Sequence, residues 1–137
     1  MKNLTAEGAE YAEEESHWTG VIIGAAIEVH KIMGPGLLES AYEQCLAYEL
    51  QSNDVPFEKQ VAIPVVYKGV PVECGFRADL IVSGAVLVEL KAVERLLPVH
   101  DAQLITYLRL TKIPIGLILN FNVRSMRDGI RRKAYTQ

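Results

Sequence analysis

Hydrophobic residues recur at helical spacing in two segments near the start of the chain. From Thr19, a residue suited to an N-cap, the apolar residues between Ile22 and Met33 predict a mostly buried helix. Gly34-Pro35-Gly36 ends this helix, and the spacing then predicts a second helix from about Leu38 to Ser52. The folded part of the chain is therefore expected to begin with two helices.

From Val55 the period changes to that of β-strands. Four segments form two pairs, each joined by a short turn: Val61 to Tyr67 with Val70 to Cys74, and Phe76 to Val82 with Ala85 to Ala92. Lys68-Gly69 makes the first turn and Ser83-Gly84 the second, so two antiparallel pairs are expected. The second pair is richer in aliphatic residues on both faces, which is typical of central strands covered by helices.

After Pro98, the segment Ala102 to Leu110 carries apolar residues at helical spacing, and Ile115 to Leu119 is a short apolar strand. The predicted order for the core of the fold is ααβββαβ. This order indicates an α/β fold with a mixed central sheet of about four strands flanked by helices. The pattern assigns no structure to residues 121–137.

The length of 137 residues suits one compact domain. Residues 1–19 carry Lys2 against five glutamates, a charge of −4 within a net charge of −3. We expect a loosely ordered acidic leader over residues 1–18 and a single domain over residues 19–137. The apolar stretch Val21 to Ile27 is too short to cross a bilayer, so we expect a cytoplasmic protein without membrane contact. Two cysteines are too few for a four-cysteine zinc or iron–sulfur site.

A carboxylate and an ammonium group stand two residues apart in the apolar segment Val86 to Ala92. Glu89 and Lys91 would share one face of a strand, and burying both is costly unless each meets a partner or a metal. A surface ion pair on an edge strand is the alternative. Asp79 on the preceding strand favours the first interpretation, because two carboxylates beside one lysine suit Mg²⁺ or Mn²⁺ at a phosphodiester.

The turn between these two strands decides whether such a site can form. A two-residue loop at Ser83-Gly84 would pair Asp79 with Val88 and put Glu89 on the opposite face of the sheet. We therefore predict a three-residue loop, another irregular loop or a bulge, so that Asp79, Glu89 and Lys91 share a face.

Three motifs resemble those of the PD-(D/E)XK nuclease superfamily. Asp79 followed by Glu89-Leu90-Lys91 is similar to its D...(D/E)xK signature. The segment from Gly36 to Tyr42, with Glu39 between them, is similar to the pattern of the GxxExxY family, which is assigned to this superfamily. Gln103-Leu104-Ile105-Thr106-Tyr107 resembles the QxxxY motif of RecB-type and lambda-exonuclease-type nucleases. The resemblance implies a restriction-endonuclease-like core and metal-dependent cleavage of nucleic acid, with DNA expected rather than RNA.

The resemblance also implies roles for individual residues. The metal, Mg²⁺ or Mn²⁺, would be held by Asp79, Glu89, Glu39 and the backbone carbonyl of Leu90. The catalytic set would be Lys91, Glu89, Asp79, Gln103 and Tyr107.

Further residues are candidates for the same site or for contacts with the substrate. His30 and Tyr42 would lie near the metal, although His30 on an apolar helix also fits a hydrogen-bonded core histidine. Arg77, Arg131 and Arg132 would contact nucleic acid. The basic C-terminal end fits a solvated terminus equally well.

Two other functions stay open. A nucleic-acid-binding or assembly module could keep this fold without catalysis, and a junction resolvase could cut branched DNA as a dimer. A separate recognition domain does not fit in 137 residues. Sequence specificity would therefore need a homodimer or a partner protein.

Overall fold

The structure, a computed structural model, describes residues 6–136, with side chains from His17 onward. The helices and strands in this part of the chain are α1 (Ala6–Met33), α2 (Glu39–Ser52), β1 (Phe57–Ala62), β2 (Val65–Tyr67), β3 (Val70–Val72), β4 (Arg77–Val82), β5 (Val86–Lys91), α3 (Pro98–Thr111), β6 (Ile115–Asn120) and β7 (Ile130–Ala134). A short 3-10 helix, Met126–Gly129, precedes β7.

A mixed sheet of five strands forms the centre of the fold, in the order β1-β4-β5-β6-β7. β4 is antiparallel to β1 and β5, β6 is parallel to β5, and β7 is antiparallel to β6. α3 makes the crossover that a parallel pair requires. The predicted α/β class and mixed sheet are confirmed, and β7 raises the number of strands above the expected four.

Helices cover both faces of this sheet. On one face α1 and α2 contribute Ile22 and Leu46, which pack with Leu90 of β5 in one hydrophobic cluster. On the other face Leu104 of α3 packs with Leu87 of β5 in a second cluster. Because side chains alternate along a strand, the position two residues after Leu87 also faces α3, and that position is Glu89.

α3 approaches β6 closely at Gly116. A Cβ atom at this position would lie 2.7 Å from Cδ1 of Leu104, well inside van der Waals contact. A larger residue would require the Leu104 side chain to move. Gly116 therefore leaves room for Leu104 between α3 and β6.

Two predicted boundaries are wrong. Thr19 lies inside α1 rather than at its N-cap, because the helix-favouring alanines and glutamates before it extend the helix back to Ala6. The segment Val61 to Tyr67 is two strands separated by Pro64: β1 pairs with β4, whereas β2 forms a hairpin with β3. The predicted turn at Lys68-Gly69 joins β2 to β3, where Tyr67 pairs with Val70.

The predicted acidic leader falls partly on residues 1–5, which lie outside the described residues. Its boundary at residue 18 stays a prediction. None of the helices in residues 6–136 combines the length and the apolar character that crossing a bilayer requires.

Candidate active site

The loop between β4 and β5 has three residues, 83–85, because Val82 pairs with Val86. Continuing this register along the two strands places Asp79 opposite Glu89. The predicted irregular loop is confirmed. The two carboxylates therefore lie on one face of the sheet, which is the condition for a shared site.

Asp79 and Glu89 join β4 to β5 through their side chains. Glu89 Oε1 accepts a hydrogen bond from the backbone N–H of Asp79, with 3.0 Å between oxygen and nitrogen. Asp79 Oδ2 accepts one from the backbone N–H of Leu90, over 2.8 Å. At this end of the antiparallel pair, carboxylate oxygens thus accept hydrogen bonds from backbone N–H groups, as backbone carbonyls do in a regular ladder. Each side chain is held in place by the other strand.

The carboxyl group of Glu89 lies in an unfavourable environment for a charge. Glu89 is only 7% exposed. Burial, followed by the negative charge of Asp79, raises the pKa of Glu89 from 4.5 to about 8, and the charge of Glu39 adds to this effect. The Asp79 N–H group and the Lys91 charge lower this pKa, but by less. A divalent cation would supply the missing positive charge.

Lys91 stands at the end of β5, partly buried, two residues beyond Glu89. Within the described part of the chain, no carboxylate oxygen lies within 4.0 Å of its ammonium nitrogen. Lys91 is therefore close enough to Glu89 to affect its pKa without being tied to it in an ion pair. An ammonium group in this position is available to a water molecule or a phosphate oxygen.

Asn120, at the end of β6, fixes the chain just beyond Lys91. The residue is 2% exposed. Oδ1 accepts a hydrogen bond from the N–H of Val93 over 3.1 Å, and Nδ2 donates one to the carbonyl of Val93 over 3.0 Å. This double contact holds the exit of β5 against β6, and with it the backbone on which Lys91 stands.

α3 brings Tyr107 and Gln103 to the same side of the sheet. Tyr107 is 4% exposed, and its pKa is raised by burial and then by the charges of Glu89 and Asp79. A side-chain hydrogen bond from Gln103 lowers this pKa. The i, i+4 pair predicted for one helix face therefore lies together next to the two carboxylates.

α2 contributes acidic residues from a second direction. Glu39 is the first residue of this helix, exposed, and its charge reaches Glu89. Glu43, one turn further, accepts a hydrogen bond from Gln60 Nε2, over 2.7 Å to its Oε1. The same nitrogen donates to Asp79 Oδ1 over 3.2 Å. Our sequence interpretation missed both residues: the i+4 spacing from Glu39 could have indicated Glu43, whereas nothing in the sequence marks Gln60.

Tyr42 and His30 have other contacts. The Tyr42 hydroxyl donates to the carbonyl of Gly34 and accepts from the N–H of Leu37, which closes the loop between α1 and α2. His30, 8% exposed, has Nε2 at 2.7 Å from the carbonyl oxygen of Val123. Their polar atoms hold backbone segments and are not hydrogen-bonded to the carboxylates of the site. For His30 this matches the alternative of a hydrogen-bonded core histidine.

The three arginines predicted to contact nucleic acid differ in their surroundings. Arg77 is exposed, and its Nη1 donates to the carbonyl of Gln60 over 3.0 Å. Arg131 forms an ion pair with Asp101 at the start of α3. Arg132 is exposed and has no ion pair among the described residues. Arg132 is therefore the freest of the three for a phosphate.

The donor atoms suit a hard divalent cation. Among the described residues no three His, Cys, Asp or Glu side chains are grouped as a complete metal cage would require. Mg²⁺ needs no such cage, since it takes one or two carboxylates and keeps water or substrate oxygens in its other positions. Asp79 and Glu89, with the carbonyl of Leu90 between Glu89 and Lys91, match this smaller set.

A family model described as the PD-(D/E)XK nuclease superfamily matches residues 16–133. The match covers most of the chain and includes both carboxylates and Lys91, so the chain belongs to this superfamily. Members of the superfamily are generally hydrolytic nucleases, and they typically use divalent metal ions such as Mg²⁺. Searches of curated proteins and of solved structures found no match to the chain.

Proposed function

We propose that this chain hydrolyses phosphodiester bonds of nucleic acid, with DNA as the expected substrate, at a Mg²⁺ or Mn²⁺ ion held by Asp79 and Glu89. One observation carries the proposal: beyond the three-residue loop, each of these two carboxylates accepts a hydrogen bond from the backbone of the other strand, so that both lie at the junction of β4 and β5. Membership of a nuclease superfamily supports the same chemistry.

The ion would be held by Asp79, Glu89 and the backbone carbonyl of Leu90, with Glu39 reaching it directly or through water. When bound, such an ion polarises a phosphodiester and makes a water molecule more acidic. The burial of Glu89 favours an ion at this position, because a cation relieves the cost of a negative charge with little water around it.

Lys91 acts next to the carboxylates. Its ammonium group, free of an ion pair among the described residues, can orient the attacking water or stabilise charge that develops on the phosphate. Gln103 and Tyr107 form the wall that α3 adds to the site, and their polar ends can position a phosphate oxygen. Arg77 and Arg132 would contact the phosphate backbone outside the site.

Two finer assignments support a nuclease that acts on DNA. The segment from Gly36 to Tyr42 is similar to the GxxExxY pattern, and the Gln103 to Tyr107 segment is similar to the QxxxY motif of exonucleases. The charge of Glu39 raises the pKa of Glu89, and the charge of Glu89 raises the pKa of Tyr107, which supports a proposal in which both motifs serve one site. We propose membership of the GxxExxY family on this basis and, as a separate proposal, a cytoplasmic location.

The direct test is a cleavage assay on a panel of substrates: single-stranded DNA, duplex DNA, a four-way junction and RNA. Each substrate is incubated with the purified protein and Mg²⁺, Mn²⁺ or EDTA, and Asp79→Asn serves as the matched variant. We expect metal-dependent cleavage by the parent chain and none by the variant.

The panel also separates the competing functions. Cleavage confined to the junction would identify a junction resolvase rather than a general nuclease. Binding of DNA without cleavage, in any metal, would identify a non-catalytic module. Equal cleavage by the parent and Asp79→Asn would contradict the proposed site, because the activity would then come from elsewhere.

A further inference from the structure

Gln60 has an unusual backbone conformation for a residue in a strand. It lies in β1 between Lys59, which pairs with Leu80, and Val61, which pairs with Ala78. Its φ is 50°, in the left-handed region. Residues with a Cβ atom adopt this region at a cost in free energy that glycine avoids. Because Asp54 and Lys112 also lie in this region, the conformation alone assigns no role to Gln60, and the contacts of its side chain decide.

The Gln60 side chain lies between two carboxylates. Its amide nitrogen donates to Glu43 Oε1 over 2.7 Å and to Asp79 Oδ1 over 3.2 Å. Arg77 donates to the Gln60 carbonyl over 3.0 Å and so holds the unusual backbone in place. A neutral donor thus links α2 to β4 at the point where both carry a negative charge.

Both oxygens of Asp79 are fixed by these contacts. Oδ2 accepts from the N–H of Leu90 over 2.8 Å, and Oδ1 accepts from Gln60. Two donors, one on each oxygen, determine the plane of the carboxylate. The loss of a residue that holds a metal ligand in this way commonly lowers the affinity for the metal by about 10- to 100-fold.

We propose that Gln60 is a positioning residue that sets the orientation of the Asp79 carboxylate for a divalent cation and couples it to Glu43 on α2. This inference rests on the proposed function, since it requires a cation at Asp79. A purely structural role for Gln60 makes a different prediction. If Gln60 served stability alone, its replacement by glycine should lower the melting temperature.

Gln60→Gly separates the two roles. The substitution removes the amide and relieves the strained backbone, so we expect a melting temperature equal to or above that of the parent. Calorimetric titration with Mn²⁺ should show an affinity at least about 10-fold weaker. Gln60→Asn provides a second variant, because asparagine tolerates the left-handed region but is too short to reach both carboxylates. Its affinity should fall as well.

Lys112→Gly is the matched control. Lys112 is exposed, has a φ of 62° and follows α3, at the end of that helix away from Gln103. Glycine there should relieve the same kind of strain without any change in Mn²⁺ affinity. A weaker affinity in this variant as well would contradict a role specific to Gln60.

The link to α2 is tested by a double-mutant cycle. Glu43→Ala should weaken Mn²⁺ binding less than Gln60→Gly does, and the double variant should bind as weakly as Gln60→Gly alone. Additive losses would contradict the coupling through Gln60. Unchanged Mn²⁺ affinity in Gln60→Gly would overturn the inference and leave the proposed function intact. Failure of the parent chain to bind Mn²⁺ would overturn both.

Discussion

Glu89 Oε1 and the backbone nitrogen of Asp79 lie 3.0 Å apart, so that the Asp79 N–H donates to the carboxylate opposite it. Asp79 returns a hydrogen bond to the strand of Glu89 through the N–H of Leu90. These contacts stabilise the local geometry but leave two carboxylates close together, with Glu89 buried. Under the proposed function, this arrangement would be ready for a cation, and it carries a cost to the metal-free protein.

Metal binding should stabilise the fold. Mn²⁺ at a free concentration 100 times its dissociation constant should raise the free energy of unfolding by about 2.7 kcal/mol, since the ion binds only the folded state. Melting curves measured with and without Mn²⁺ should therefore differ by several degrees for the parent chain.

Two variants make this measurement specific. Asp79→Asn should lose the shift, because the amide removes one of the two carboxylates. Asp54→Asn should keep it, since Asp54 is exposed beyond the far end of α2 and its left-handed conformation suits asparagine. An equal shift in all three proteins would mean that the ion binds elsewhere.

The metal-free protein should lose stability as the pH rises. The folded state holds the proton on Glu89 up to a pKa of about 8, whereas the unfolded chain releases it near 4.5. Between these values the folded state binds more protons, so the free energy of unfolding decreases with increasing pH. The contribution is fully present below about pH 4.5 and is lost as the pH passes through about 8, a difference of a few kcal/mol.

Glu89→Gln isolates this effect. Glutamine can still accept the hydrogen bond from Asp79 but does not titrate. Urea unfolding in EDTA at pH 5 and pH 8 should show a smaller loss for this variant than for the parent. Glu94→Gln, at an exposed position after β5, should behave as the parent does. Identical pH dependence in the parent and Glu89→Gln would rule out Glu89 as the titrating group.

Arg131 and Arg132 should differ in their effects despite being neighbours. Arg132→Ala should weaken DNA binding in a salt-dependent manner. An exposed guanidinium without an ion pair among the described residues can displace counterions from the phosphates of DNA. Arg131→Ala should instead lower stability by up to about 1 kcal/mol, the range for a partly exposed pair such as its contact with Asp101. Fluorescence anisotropy over a series of salt concentrations, with Lys112→Ala as control, measures the first effect. Equal salt dependence in Arg132→Ala and the parent would exclude the contact.

The loop of the site was predictable because of a geometric conflict. With the shortest loop at Ser83-Gly84, Asp79 and Glu89 would point to opposite faces, so a shared site required an extra residue. The structure has that residue, Ala85, outside the pairing of Val82 with Val86. Two constraints applied to the same few residues here: side chains alternate between the faces of a strand, and a shared site needs both carboxylates on one face.

Gln60 could not be predicted in the same way. Its side chain contacts α2 and β4, which are distant in sequence, and glutamine carries no local signal for a left-handed backbone. β7 was not predicted for a different reason. Its basic residues make this edge strand resemble a solvated terminus; they are Arg131, Arg132 and Lys133. Thr19 has the chemistry of an N-cap but lies within a longer helix.

The most direct test of the account is the cleavage rate of Lys91→Ala. In the proposed mechanism Lys91 acts on the transition state, so its removal should slow cleavage about 100-fold or more under single-turnover conditions while DNA affinity changes little. Lys112→Ala, which removes a lysine at an exposed position beyond α3, should cleave at the parent rate. Cleavage by Lys91→Ala at the parent rate would contradict the assignment of catalysis to Asp79, Glu89 and Lys91.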